Sequence, residues 1–355
     1  MGEKQLDFFL GSLSPCGFRS YFAGALPPLE SGTAVLLKGG PGCGKSTLLK
    51  RAAQALERRG ETVHRIHCAA DPDSLDGVLC PGRGLAILDA TPPHALEARL
   101  PAAFEQVLSL DAALDSAALR PARAHLAQLC SQYDLLTERA TRYIAAAGSL
   151  ALDTLRTAAC CTDTAKAARF AGALARRYLP LRERPAQEAV RLLSAVTPAG
   201  ITVYTDTVSA LASAVVVLDD TYGAAGQALM AALRREGLAR GHDCITCLDP
   251  LVPDRIAHLL FPSSSVAFVT ASPLCSLQFS GQRTIHASRF TNPDGLRLRR
   301  TRLRFNQKAA RELLEQAGAL LSEAAAVHHR IEAVYTAALD VSVLERLTGS
   351  LLASL

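Results

Sequence analysis

At 355 residues, 49% of them apolar, the chain has material for two or three packed domains, and no apolar run approaches the ~18 residues of a membrane span. Its net charge of +5 is mild, and the opening MGEKQLDFFLGSLS has neither a signal-peptide apolar stretch nor a myristoylation pattern, since Leu6 stands where Ser or Thr is needed. The expectation is a soluble, cytoplasmic protein without a membrane partner, its oligomeric state open.

Residues 1–33 read as a lead-in punctuated by Gly and Pro. An apolar run predicts a strand over 34–38, followed by GGPGCGKS from Gly39 to Ser46 and a helix over 45–59 that ends at Gly60. A strand at 63–68, a loop with a short helix near 72–79 and a strand at 85–89 come next. A short fourth strand is expected at 106–110, matched by 284–288 later in the chain. Strands alternating with helices on this spacing predict a parallel sheet covered on both faces. Residues 114–179 and 306–355 read as helical tails. Their apolar positions are too dense for a two-in-seven coiled-coil seam, so they are expected to pack on the sheets or on each other.

The segment from Gly39 to Ser46 has the G-x-x-x-x-G-K-S spacing of a phosphate-binding loop, with a strand before it and a helix after it. Gly39, Gly42 and Gly44 let the backbone turn tightly and aim N–H groups at phosphate oxygens, beside the positive end of the helix. Lys45, expected to be solvated until phosphate arrives, reaches the β and γ phosphates, and the Ser46 hydroxyl holds Mg²⁺. No guanine-type N-K-x-D motif is present, which favours ATP.

Sliding residues 34–91 onto 215–272 without a gap gives twelve identities in 58 positions, among them Leu37/Leu218, Gly42/Gly223, Gly60/Gly241 and Pro72/Pro253. With a two-residue shift, SPCGFRSYF from Ser14 resembles TPAGITVYT from Thr197. The chain therefore reads as two halves of about 180 residues. In the second half, Gly226 and Gln227 take the places of Lys45 and Ser46, and Asp219 and Asp220 those of Lys38 and Gly39. Two carboxylates there repel a triphosphate, so this half is not expected to bind nucleotide through its loop.

LAILD ends a strand in Asp89, placed to hold Mg²⁺ beside Ser46 at the carboxyl edge of the sheet. Ala90 and Thr91 follow it rather than a water-activating Glu, so any base lies elsewhere. HCAADPDSLDG offers Asp71, Asp73 and Asp76. Asp73 fits a capping role, because Asp254 is kept in the eroded copy, whereas Asp71 and Asp76 are lost there together with Lys45 and are the catalytic candidates. Ten cysteines invite a metal reading, but Cys68, Cys80, Cys244 and Cys247 lie in or beside strands, and the Cys244/Cys247 pair has no partner pair at zinc-ribbon spacing. His328 and His329, about 100° apart on a helix, read as surface or edge residues. The arginines between Arg297 and Arg304 read as a solvated edge strand or helix face in preference to a nucleic-acid site, since no aromatic residue is interleaved among them.

GGPGCGKST, HCAADPDSLDGV and LAILDATPPH together resemble a poorly characterised bacterial family of tandem P-loop proteins, ATPase-like or nucleotide-kinase-like, over nearly the whole chain. The resemblance implies that Gly39, Gly40, Pro41, Gly42, Cys43, Gly44, Lys45, Ser46 and Thr47, with Asp89, form the nucleotide site. In that family both halves can carry a P-loop; here the second is degenerate. The expected architecture is α/β, with two tandem P-loop NTPase-like three-layer domains on parallel sheets, each with a helical appendage, over residues 1–185 and 186–355. The expected activity is slow ATP hydrolysis with ATP and Mg²⁺, in which Lys45, Asp71 and Asp76 act catalytically and Ser46 and Asp89 hold the metal. One alternative is a kinase whose small-molecule or nucleotide acceptor sits near Asp71, Asp76 and residues Thr91 to His94; another is a nucleotide-gated nucleic-acid-binding module.

Overall fold

The computed structural model describes residues 5–355; the expectation about the chain's leader falls partly on residues 1–4, outside the described residues. Each half is built on one six-stranded mixed sheet, mostly parallel. The first contains β1 (Leu6–Phe9), β4 (Thr33–Lys38), β5 (His64–His67), β6 (Leu75–Cys80), β7 (Leu85–Asp89) and β8 (Glu105–Ser109), in the order β1-β5-β6-β7-β4-β8. A hairpin of β2 (Gly11–Ser14) and β3 (Gly17–Ser20) stands beside it. Helix α1 (Lys45–Arg58) follows β4, buries Leu48, Leu49, Ala52, Ala53 and Leu56 on one face, and ends where Gly60 takes φ 80°.

The second half repeats this plan. Strands β9 (Glu188–Arg191), β12 (Ala214–Asp219), β13 (Cys244–Leu248), β14 (Ile256–Phe261), β15 (Val266–Ala271) and β16 (Arg283–His286) stand in the order β16-β12-β15-β14-β13-β9. The hairpin β10 (Ser194–Thr197) and β11 (Gly200–Val203) corresponds to β2 and β3, with Gly17 at φ 94° and Gly200 at φ 93° in the two turns. Helix α5 (Thr205–Leu211) precedes β12, and α6 (Ala224–Ala239) follows it.

The sheets depart from the expected parallel arrangement at one strand each. β6 runs antiparallel to both β5 and β7, and β14 antiparallel to both β13 and β15. The cause is chain length: seven residues join β5 to β6 and four join β6 to β7, too few for a parallel crossover. The short helix expected near 72–79 is therefore β6, whose six residues are all buried. The lead-in, for which the sequence announces no element, supplies an edge strand and a hairpin.

The two sheets face each other across one core, in which Phe8, Ile66 and Leu88 of the first meet Val217, Ile245 and Val269 of the second. The outer faces are sealed by exchanged helices. After the first sheet come α2 (Ser116–Leu119), the long α3 (Arg123–Ala159) and α4 (Thr164–Tyr178); after the second come α7 (Pro293–Leu298), the long α8 (Arg300–Ala337) and α9 (Val341–Ser354). α3 packs along α8. Beyond that contact each tail crosses over. α4 lays Ala167, Ala171 and Leu174 against α6 and the second sheet, while α9 and Leu355 close the core of α1 and the first sheet. The junctions are tied alike: Asp340 N–H donates to the Ala113 carbonyl at 2.8 Å, and Asp163 N–H to the Phe290 carbonyl at 2.7 Å. Among the described residues, no helix is long and apolar enough to cross a membrane.

Candidate functional site

The loop from Gly39 to Gly44 joins β4 to α1. Gly42 (φ 72°) and Gly44 (φ 91°) hold left-handed backbone that L side chains avoid, and Gly44 caps α1. Lys45 does not stand free in solvent, as the sequence suggested. Its side chain is 13% exposed; the ammonium donates to the Gly39 carbonyl and, at 3.0 Å, to the Gly40 carbonyl, and lies 3.6 Å from Asp89 Oδ2. The loop thus satisfies its own lysine internally.

Asp89 ends β7, paired across from Leu37 of β4, which sets it beside the loop. Its Oδ1 accepts the Thr91 N–H at 2.9 Å and the Thr91 hydroxyl at 2.5 Å, leaving Oδ2 facing Lys45. Burial raises its pKa, with Lys45 opposing. Ser46 Oγ accepts the Leu75 N–H at 3.0 Å, which anchors β6 to the start of α1 and leaves the hydroxyl a further lone pair. Cys43 is buried beneath the loop, Gly40 and Pro41 are half-buried on it, and Thr47 is exposed on α1.

The acidic segment divides into three roles. Asp71 closes a turn, its carboxylate accepting the Ser74 hydroxyl at 2.6 Å and the Asp73 N–H at 3.3 Å, while Asp73 itself is exposed. Asp76 is buried in β6 and pairs with His94 Nε2 at 3.1 Å; the His94 ring stacks on Phe22 with centroids 4.3 Å apart.

Several residues at the site carry no motif. Lys38 donates to the carbonyls of Ala90 (2.9 Å) and Leu96 (2.7 Å), which pins the segment after Asp89. Asp111 accepts the Gly40 N–H at 2.8 Å. The end of α8 lies on the loop from the other half. A Cβ at Gly42 would come within 2.6 Å of the Glu332 carbonyl, one at Gly40 within 3.4 Å of the Tyr335 ring, and Thr336 Oγ1 donates to the Gly42 carbonyl at 3.3 Å. His328, one turn earlier, is more than a surface residue: burial lowers its pKa, Glu332 lies 3.7 Å away, and Asp71 and Lys45 are close enough to act on it electrostatically. No local signal in the sequence announces this, because the residues come from a helix nearly three hundred positions away.

The second loop is shorter. Six residues separate β4 from α1, but only four, Asp220 to Gly223, separate β12 from α6, and Gly223 (φ 83°) is the helix cap. Ala224 and Ala225 therefore occupy the first helical positions held by Lys45 and Ser46 in the first half, and Gly226 lies inside α6, which corrects the ungapped alignment. Asp219 is exposed and bonds His286 at 2.9 Å. Asp220 is buried, and its carboxylate accepts the N–H groups of Tyr222 (3.1 Å), Gly223 (2.9 Å) and Gly226 (2.6 Å). The helix N-terminus is already occupied by an anion from its own chain. A cavity of about 90 Å³ beside it, lined by Leu155, Arg255, His258, Thr270 and Asn306, is far too small for a nucleoside triphosphate.

Among the described residues no group of three or more His, Cys, Asp or Glu is placed to hold a metal, and Cys244 and Cys247 are buried thiols whose pKa values burial raises. Comparison with family models, curated proteins and solved structures gives no match.

Proposed function

We propose that the protein is a P-loop nucleoside triphosphatase that binds ATP at one competent site, the loop from Gly39 to Thr47, and hydrolyses it slowly. The observation that supports this most is Lys45 at the first position of α1, bonded to its own loop's carbonyls and facing Asp89 on the adjacent strand pair. The loop and the start of α1 offer backbone N–H groups to phosphate, and Lys45 turns from the Gly39 and Gly40 carbonyls to the β and γ oxygens. Ser46 and Asp89, one hydroxyl and one carboxylate, are a donor set that suits Mg²⁺, which keeps most of its coordination for water and phosphate. An ion held by these two residues would supply charge neutralisation at the transferring phosphoryl group. Asp89 has no acid after it, Asp71 is engaged in a turn and Asp76 contacts His94, so none of the acids that the motifs supply is free to act as a base, which favours slow turnover. The α8 segment from His328 to Thr336 rests on this loop, so the second half reads its state by contact.

The test is ATP affinity with and without Mg²⁺. Lys45→Ala removes affinity in both conditions, whereas Asp89→Asn weakens the Mg²⁺-dependent part alone. Stimulation of ATP loss by a nucleoside or other hydroxyl-bearing acceptor would move the assignment to a kinase using the Asp76–His94 pair.

A further inference from the structure

Residues 293–311 carry seven cationic side chains against one acid, Asp294, a local net charge of +6 in a chain whose total is +5. They form α7 and the first turns of α8, and every arginine among them is exposed. Arg302 is held by Asp153, Nε to Oδ2 at 2.8 Å, and Arg299 donates to the Gly295 carbonyl at 3.0 Å. Arg297 has only an exposed contact with Asp294 at 3.5 Å, and Arg300 and Arg304 are left facing solvent on one side of the helix, four residues apart. This placement opposes local stability. The first turn of α8 has no acidic residue and carries arginines at the positive end of the helix dipole, with like charges at i and i+4.

An exposed aromatic side chain follows Arg304 directly in the chain. Because α8 buries Leu303, Asn306 and Ala310 against its neighbours, the helical period turns Phe305 outward, 65% exposed, and Leu298 is 84% exposed on α7. Cations that lack partners, next to an unpartnered aromatic ring, match the two needs of a single-stranded nucleic acid, phosphates along a backbone and a face for a base. An anionic membrane fits less well, since the apolar face of α8 that would enter it is packed on α3. We infer that the Arg297–Phe305 face binds single-stranded nucleic acid, with Arg297, Arg300 and Arg304 on phosphates and Phe305 stacked on a base.

The experiment is fluorescence anisotropy of a labelled single-stranded oligonucleotide of about 20 nucleotides, titrated with the full chain over a range of salt. Arg300→Glu with Arg304→Glu should weaken binding at least tenfold and reduce the log–log salt slope by about 1.4, roughly 0.7 per lost phosphate contact. Phe305→Ala should weaken it about fivefold or more without changing the slope. These side chains are exposed, and unaltered helical circular dichroism in each variant confirms the fold. Lys45→Ala should bind the oligonucleotide as the parent does, which separates this surface from the ATP site. Unchanged affinity in the double glutamate variant, loss in Lys45→Ala, or tighter binding to phosphatidylserine vesicles or an acidic peptide than to the oligonucleotide would overturn the inference.

Discussion

The Asp220 carboxylate accepts the Gly226 N–H at 2.6 Å, so the first turn of α6 closes on an anion carried by the preceding loop. Under the proposed function, repulsion between carboxylate and phosphate is only part of what keeps nucleotide from this half; the N–H groups that a phosphate would use are taken. Asp220→Ala leaves the Tyr222, Gly223 and Gly226 donors without their acceptor and should cost about 3 kcal/mol in chemical denaturation. Asp219→Ala, at an exposed pair with His286, should cost within about 0.5 kcal/mol. Equal costs would mean that the carboxylate is not the cap.

Much of this half was legible only in outline. Strand, glycine and helix spacing announced both β-loop-α units, and Arg59 with Arg240, each capping its helix, kept the alignment in register. The shorter second loop was hidden because Gly42 and Gly223 align by identity although Gly44 and Gly223 are the helix caps. β6 was missed because D-P-D-S reads as a helix start, while here it is a tight turn into a strand buried on both faces. The tail exchange was not legible either. Ala167, Ala171 and Leu174 show that one face of α4 is buried, but amphipathic spacing does not say which half supplies the partner surface.

Under the proposed function, Lys45 links ATP affinity to stability. Lys45→Ala should abolish measurable ATP binding and also cost about 1–2 kcal/mol, because it removes the bonds to Gly39 and Gly40 and leaves Asp89 unpaired at 11% side-chain exposure. Adding Asp89→Asn should recover part of that loss. A Lys45→Ala protein as stable as the parent would show that these bonds are absent in solution.

Deletion of residues 341–355 should loosen the first half although the deleted segment follows the second. Leu344, Leu351, Leu352 and Leu355 pack on the core of α1 and the first sheet, and Arg83 donates to the Leu355 carbonyl. Amide exchange in α1 should accelerate at least tenfold while α6, covered by α4, stays protected. Faster exchange in α6 with α1 unchanged would rule out the exchanged arrangement.

Acid should destabilise the protein through two histidines. Burial lowers the pKa of His64 from 6.5 to about 3 and that of His258 to about 4, and His258 Nδ1 accepts the Thr270 N–H, which requires a neutral ring. A depressed folded-state pKa means that the unfolded chain binds the proton first. This stability is therefore complete above about pH 6.5 and declines as pH falls towards 4 and then 3. At pH 4.5 each histidine should have lost about 2–3 kcal/mol relative to pH 7. Asp89, with its raised pKa, acts in the opposite sense. Chemical denaturation of His258→Gln should show a shallower decline than the parent; an identical pH profile would show that His258 does not contribute to the acid sensitivity.

Titration calorimetry with a non-hydrolysable ATP analogue and Mg²⁺ counts the nucleotide sites on the chain. One site per chain is expected, lost in Lys45→Ala and kept in Asp220→Asn, with no second site on introducing Gly226→Lys with Gln227→Ser, since Gly226 lies inside α6 and a Cβ there would come within 3.2 Å of Asp220 Oδ2. A stoichiometry of two, or one site that survives Lys45→Ala, would contradict the proposed single site.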